Sequence, residues 1–411
     1  MERSSSYKSY FYANKTRQKP ILYIYIRHKM IKNSIFLVLI LLIGTRTSAQ
    51  INVKQAFDIA SKQYDLMLAN HPDSTKFPFS VNPDGTSKDS KSVWWCSGFF
   101  GGSLWSLYEF TKDDKWKAAA NRWTMAVSNE QYNTNTHDLG FMLYCPFGSG
   151  YRLTQNETYK SVLLKGAESL ATRFDPKIGL IKSWNKFQEK YDYPVIIDNM
   201  MNLELLFWAS KTSGNPKFYN ICVTHADNTL KNHFREDFSS YHVVCYGPNG
   251  EVLAKKTHQG AADESAWARG QAWGLYGYIV MYRETKDKKY LKVAKNIAKF
   301  ILENPNLPED KIPYWDFSKP GEERDASAGA ITASALFEMS QYVSKKEAKY
   351  YKAMATKMLE SLSNSYFRAD GGNNGFILKH STGNKAGNVE VDVPLNYADY
   401  YYLEALLRYG K

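Results

Sequence analysis

Two carboxylates open apolar helical segments in this chain. Asp198 stands in Ile196-Ile197-Asp198-Asn199-Met200-Met201-Asn202-Leu203, four residues after Pro194, and leads into at least three turns with apolar residues at helical spacing. Asp138 stands likewise in Thr136-His137-Asp138-Leu139-Gly140-Phe141. A carboxyl held among apolar neighbours is costly to ionise, so its pKa rises. A raised carboxyl pKa is what a proton donor needs at neutral pH. Either aspartate would also serve as an N-cap, a position that favours Asp. At this level both readings stand.

A second concentration of chemistry lies in Thr257-His258-Gln259-Gly260-Ala261-Ala262-Asp263-Glu264-Ser265-Ala266-Trp267-Ala268-Arg269-Gly270-Gln271-Ala272-Trp273. Arg269 and Trp273 are four apart and share a helix face. An Arg beside Trp, with Gln and His nearby, suits a sugar carboxylate held by charge-assisted bonds while a ring stacks. The bland alternative is an Arg–Trp packing pair. Gly270, Gly274 and Gly277 cost helix propensity, and close approach between helices accounts for them best. The chain has no HExxH helix, Walker loop, GxSxG elbow or GxGxxG after a strand. Gly371-Gly372-Asn373-Asn374-Gly375 reads as a turn. His137, His242 and His258 lack metal-ligand spacing, so neither a metal nor a cofactor is expected.

Periodicity predicts about twelve helices and hardly any strands, over 52–69, 97–111, 114–129, 138–151, 156–173, 198–212, 215–233, 264–284, 287–302, 326–343, 346–363 and 393–408. The links near 112, 153, 213, 285 and 344 are short, as between antiparallel neighbours. The others, 70–96, 130–137, 174–197, 234–263, 303–325 and 364–392, are mostly long. Helical hairpins whose long loops fall at one end describe an all-α (α/α)6 barrel with the even-numbered helices inside. Trp95, His137, Asp138, Asp198, Asp263, Asp325 and Asp392 all lie at or just before even-helix starts, so they ring one mouth. That mouth is the expected cleft.

Composition narrows the class. Ile35 to Ile43 is an apolar run preceded by Lys32 and followed by Thr47-Ser48-Ala49, as in a secretory signal peptide starting at Met30. It is too short to span a bilayer, which takes roughly 20 residues. Residues 1–49 are thus expected to be an upstream extension plus leader. Residues 50–411 then form one catalytic domain, secreted or periplasmic, with no stable membrane anchor. Nine of the 53 basic residues but one of the 41 acids lie in the first 49, leaving 44 against 40. That balance does not support nucleic-acid binding and suits an acidic small substrate. Cys96, Cys145, Cys222 and Cys245 form no CxxC pair. Buried free thiols are expected, although an oxidising compartment permits two disulfides. The 30 Tyr and 10 Trp suit sugar stacking, and equally a large helical core.

Taken together, these segments resemble the unsaturated glucuronyl hydrolases of glycoside hydrolase family 88. The resemblance rests on WCSGFFGGSLWSLYE from Trp95, HDLGFMLYCPFG from His137, IIDNMMNLELLFWAS from Ile196, SSYHVV from Ser239, HQGAADESAWARGQAWGLYGY from His258 and DVPLNYADYYYLEAL from Asp392. It implies an (α/α)6 barrel acting on lyase-generated oligosaccharides with a 4,5-unsaturated uronic acid at the non-reducing end. The implied reaction is hydration of the vinyl ether: C4 is protonated, water adds at C5, and the hemiketal collapses to a keto acid and a shortened saccharide. By resemblance, Asp198 is the acid/base and Asp138 the second essential carboxylate. His137, His242, Gln259, Arg269 and Trp273 line the uronate pocket, and Trp95 and Trp184 stack. The implied partner is a small unsaturated oligosaccharide.

One departure concerns sulfate. Members favouring sulfated substrates carry a Ser- and Lys-bearing loop near the C-terminus. Here it reads His380-Ser381-Thr382-Gly383-Asn384-Lys385, spaced differently, which makes Ser381 and Lys385 the candidates. Two other readings compete: an unsaturated rhamnogalacturonyl hydrolase acting on pectin fragments, and a non-catalytic glycan-binding toroid.

Overall fold

The computed structural model describes residues 51–368 and 372–411. The leader expected over 1–49 lies outside them. In chain order the helices are α1 Val53–Asn70, α2 Ser97–Thr111, α3 Asp114–Ala126, α4, α5 Glu157–Ala171, α6 Asn199–Ser213 and α7 Pro216–His233. They continue as α8 Ala268–Thr285, α9 Lys288–Glu303, α10 Ala326–Met339, α11 Lys345–Ser365 and α12 Asn396–Tyr409. Helix α4 starts as a wide π segment, Gly140–Gly148, and finishes in α geometry over Ser149–Thr154. Pro146, with no N–H to donate, sits within the wide part.

The even helices pack in a closed ring, α2 to α4 to α6 to α8 to α10 to α12 and back to α2. The odd helices lie outside it. The fold is an (α/α)6 barrel, and the two rings differ as their positions require. Helix α9 buries one stripe (Tyr290, Val293, Ala294, Ile297, Ala298, Ile301), while every residue of α10 is buried.

Capping separates the rings still more sharply. All six outer helices start at a side chain that accepts a backbone N–H of the first turn: Asn52, Asp113, Asn156, Asn215, Asp287 and Ser344. Among the inner helices only α10 does so, through Asp325. Cys96, Leu139, Asp198, Trp267 and Leu395 hold the corresponding positions and make no cap bond.

The long links are more structured than periodicity suggests. Strands β1 Phe77–Val81 and β2 Ser87–Ser90 form a hairpin, and β3 Phe174–Asp175 pairs with β4 Leu180–Ile181. Strands β5 Pro194–Ile196, β6 Val243–Tyr246 and β7 Val252–Lys256 make an antiparallel sheet. The β-branched pair Val243-Val244 and the Gly-Pro-Asn-Gly turn at 247–250 were its local signals. The segment expected to begin a helix at 264 enters α8 only at Ala268, because Trp267 is extended and bridges to Asp316. Helix α10 stops at Met339, short of the expected 343.

All four cysteines are free and buried. Among the described residues, no helix is long and apolar enough to cross a membrane. Of the three helix glycines, Gly277 marks the closest approach. A Cβ there would lie 2.5 Å from Met200 Cβ and 3.2 Å from its carbonyl, between α8 and α6. Gly277→Ala is expected to cost about 1–3 kcal/mol through overpacking, measurable as a lower urea midpoint. An unchanged midpoint would refute the close-approach reading.

Candidate active site

The three-stranded sheet places the acid. Ile196 of β5 pairs with Val243 of β6, and Ile197 N–H donates to the His242 carbonyl at 3.1 Å. Both strands therefore end side by side, leaving Asp198 and His242 adjacent at the mouth of the ring. His242 Nε2 lies 3.7 Å from Asp198 Oδ2. The β6–β7 hairpin returns the chain so that the backbone N–H groups of His258 and Gln259 both donate to His242 Nδ1, each at 3.2 Å. Burial holds this imidazole well below its usual pKa. It is thus neutral, with its proton on Nε2 facing Asp198.

Asp198 holds the N-cap position just before α6, but its side chain makes no cap bond. It is 8% exposed, and burial raises its pKa to about 7. Arg269 opposes that rise and the charge of Asp138 adds to it. Of the two sequence readings, the cap is excluded for Asp198 and the proton donor fits. Asp138 is fixed from its own segment: Thr136 Oγ1 donates to Oδ2 at 2.9 Å, and His137 Nε2 is 3.3 Å from Oδ1. His137 is fully buried, which lowers its pKa.

Arg269 is the hub of the opposite wall. Its Nη1 donates to Asp325 Oδ2 at 2.9 Å and to the Thr382 carbonyl at 2.6 Å; its Nη2 donates to the Gly383 carbonyl at 2.5 Å. The guanidinium lies over Trp267, 4.4 Å from the ring centre, with Tyr397 at 5.3 Å. Gln259 Nε2 donates to the same Gly383 carbonyl at 2.9 Å. These bonds pin the loop 380–393, itself folded back by the Ser381–Val393 and Asn384–Val389 bridges. The Nε–H of Arg269 is buried with no hydrogen-bond partner among the described residues.

Together these residues line a cavity of about 400 Å³. Trp95, His137, Asp138, Trp184, Asp198, Gln259 and Arg269 face it. His242 and Trp273 lie directly behind, the latter fully buried with its ring 5.1 Å from Phe141. Arg269 is the one cationic side chain among the described lining residues. Ser381 and Lys385 do not line the cavity. Ser381 is buried, and Lys385 forms ion pairs with Glu322 and Glu323 beside Trp315. Of the other mouth carboxylates, Asp263 pairs with Lys256 and Asp392 with His380 outside the cavity, while Asp325 holds Arg269.

Sequence reasoning passed over Thr136, Trp94, Trp267, Glu390 and Tyr397. Local signals existed for Trp267 and Thr136, each two residues before a candidate, and for Trp94 beside Trp95. A larger cavity of about 490 Å³ lies at the other end of the ring. Its charges satisfy one another: Arg408 bonds Glu338 at 2.9 Å, Arg283 bonds Glu338 at 3.1 Å, and Tyr276 donates to Glu404 at 3.0 Å.

Residues 74–408 match Glycosyl Hydrolase Family 88. The chain belongs to glycoside hydrolase family 88. Within this family it is 46% identical over 363 residues to an unsaturated glucuronyl hydrolase of Formosa agariphila, covering 84% of this chain and 90% of that one. It is 32% identical to an unsaturated chondroitin disaccharide hydrolase of Streptococcus agalactiae, over 90% of this chain and 94% of the relative. Among solved structures, an unsaturated glucuronyl hydrolase specific for heparin superposes with a TM-score of 0.84 at 48% identity, covering 87% of this chain and 96% of that one. As a family 88 member, the protein is a glycoside hydrolase.

Proposed function

We propose that this family 88 enzyme hydrates the C4=C5 bond of a 4,5-unsaturated uronic acid at the non-reducing end of lyase-generated glycosaminoglycan oligosaccharides. The observation that carries the reading is a buried carboxyl, Asp198, half-protonated near pH 7, at the floor of a pocket with one engaged arginine. Asp198 gives its proton to C4, and the alkene electrons form the new C–H bond. The cation left at C5 and the ring oxygen is eased by the Asp138 carboxylate. Water attacks C5 and returns a proton to Asp198, now the base, whose Oδ2 has His242 Nε2 3.7 Å away. The C5 hemiketal then opens by breaking its bond to the ring oxygen. C1 becomes a hemiacetal that expels the second sugar. Arg269, the one cationic side chain of the described lining, supplies the positive charge that favours the substrate carboxylate.

The test is the loss of ultraviolet absorbance from unsaturated disaccharides of chondroitin, hyaluronan, heparin and rhamnogalacturonan. Turnover of glucuronyl substrates is expected, with unsulfated ones preferred because Lys385 is held by two glutamates away from the pocket. Activity confined to the rhamnogalacturonan product would overturn the assignment.

A further inference from the structure

The pocket does not end at its polar floor. On the outer side its lining continues into Val93, Trp94 and Val389, which are 61%, 46% and 42% exposed. Large apolar side chains at that exposure are few on the described surface, and three of them meet at this one rim. An exposed apolar patch continuous with a binding cavity marks contact with something that leaves the cavity.

The platform is held rigidly. Trp94 stands on a short turn in which its N–H donates to the Lys91 carbonyl at 3.0 Å and its own carbonyl accepts from Ser97 N–H at 2.9 Å. Ser97 Oγ ties the turn back to the Ser92 carbonyl at 2.7 Å, and Ser92 Oγ anchors on Glu130 at 2.7 Å. Phe79 supports the indole edge-on, with ring centres 6.3 Å apart. Lys88 crosses the Phe79 ring and bonds Glu390 at 2.9 Å, joining the β1–β2 hairpin to the loop that carries Val389. The Lys88 charge is thus paired with Glu390, and Val93, Trp94 and Val389 give the rim an apolar surface.

We infer that Trp94, flanked by Val93 and Val389, is the subsite for the second sugar, the one expelled in the reaction, whose apolar ring face packs on the indole. This rests on the function proposed above. The uronate occupies the floor against Asp198 and Arg269, and Val93, Trp94 and Val389 continue the same lining outward for the bonded sugar. Ring packing on an aromatic face supports a pyranose of any linkage without an ion pair. Because the contact is made by ground state and transition state alike, it acts on KM and leaves kcat little changed.

The experiment compares an unsaturated disaccharide with the methyl glycoside of the same unsaturated uronic acid, which lacks the second ring. Trp94→Ala is expected to raise KM for the disaccharide roughly tenfold, and to lower the disaccharide-to-methyl-glycoside ratio of kcat/KM by the same factor. Trp94→Phe is expected to restore most of that ratio. An unchanged ratio in Trp94→Ala, or a loss carried by kcat, overturns the subsite. If the wild-type enzyme turns over neither compound, the functional reading itself fails.

Discussion

Replacing Asp198 with Asn is expected to lower kcat on unsaturated disaccharides by about 10²–10⁴-fold, the range removed with a general acid. In the wild type, the proton on Asp198 titrates at about pH 7, so kcat/KM should fall as pH rises through 7. The same shift has a stability consequence of defined sign. An unfolded Asp ionises near pH 4, whereas the folded one holds its proton to about 7. Below pH 4 the group contributes nothing. Between 4 and 7 the unfolded state gains by ionising, and above 7 the penalty is complete. Asp198→Asn escapes it, so the variant should gain stability over the wild type as pH rises from 4 to 7. Denaturant unfolding at pH 5 and pH 8 checks this. Near-wild-type turnover in the variant would remove Asp198 from the mechanism.

Arg269→Met is expected to abolish detectable turnover and to cost about 3–5 kcal/mol of stability, since it strands a buried carboxylate at Asp325. Two roles are combined at this residue. One, as proposed above, is the positive charge toward the substrate carboxylate, and the other is the clamp on the Thr382 and Gly383 carbonyls that holds the pocket's outer loop. Adding Asp325→Asn separates the loss of stability from the loss of activity. The amide oxygen still accepts from Ser327 N–H and so keeps the cap of α10, and the stranded charge is gone. The double variant should therefore recover most of the stability and none of the activity. Recovery of activity along with stability would mean that Arg269 serves the fold alone.

Much of this protein is legible in local patterns. Helix periodicity and the alternation of short and long links specify twelve helices, their hairpin pairing and the mouth that collects the long loops. These signals span a few turns and need no knowledge of distant partners. The three-stranded sheet was less legible. Its strands are three to five residues long and come from separate links, too short for period two to stand out beside the helical signal.

What the sequence determined by itself is the ring and the candidates: Asp198 and Asp138 at inner-helix starts, with Arg269 and Trp273 on a shared face. What only the tertiary structure decided is the environment of each candidate. Asp198 and the outer-ring caps look alike over three residues, and only burial in the folded chain raises the pKa of the one while the others cap their helices. Lys385 looked available for sulfate until folding brought it to Glu322 and Glu323. Arg269 read as a ligand arginine or as a packing partner of Trp273, yet it also grips carbonyls 113 and 114 residues away. A pKa and an ion pair depend on dielectric and on neighbours in space. Sequence spacing carries neither beyond the reach of one helix.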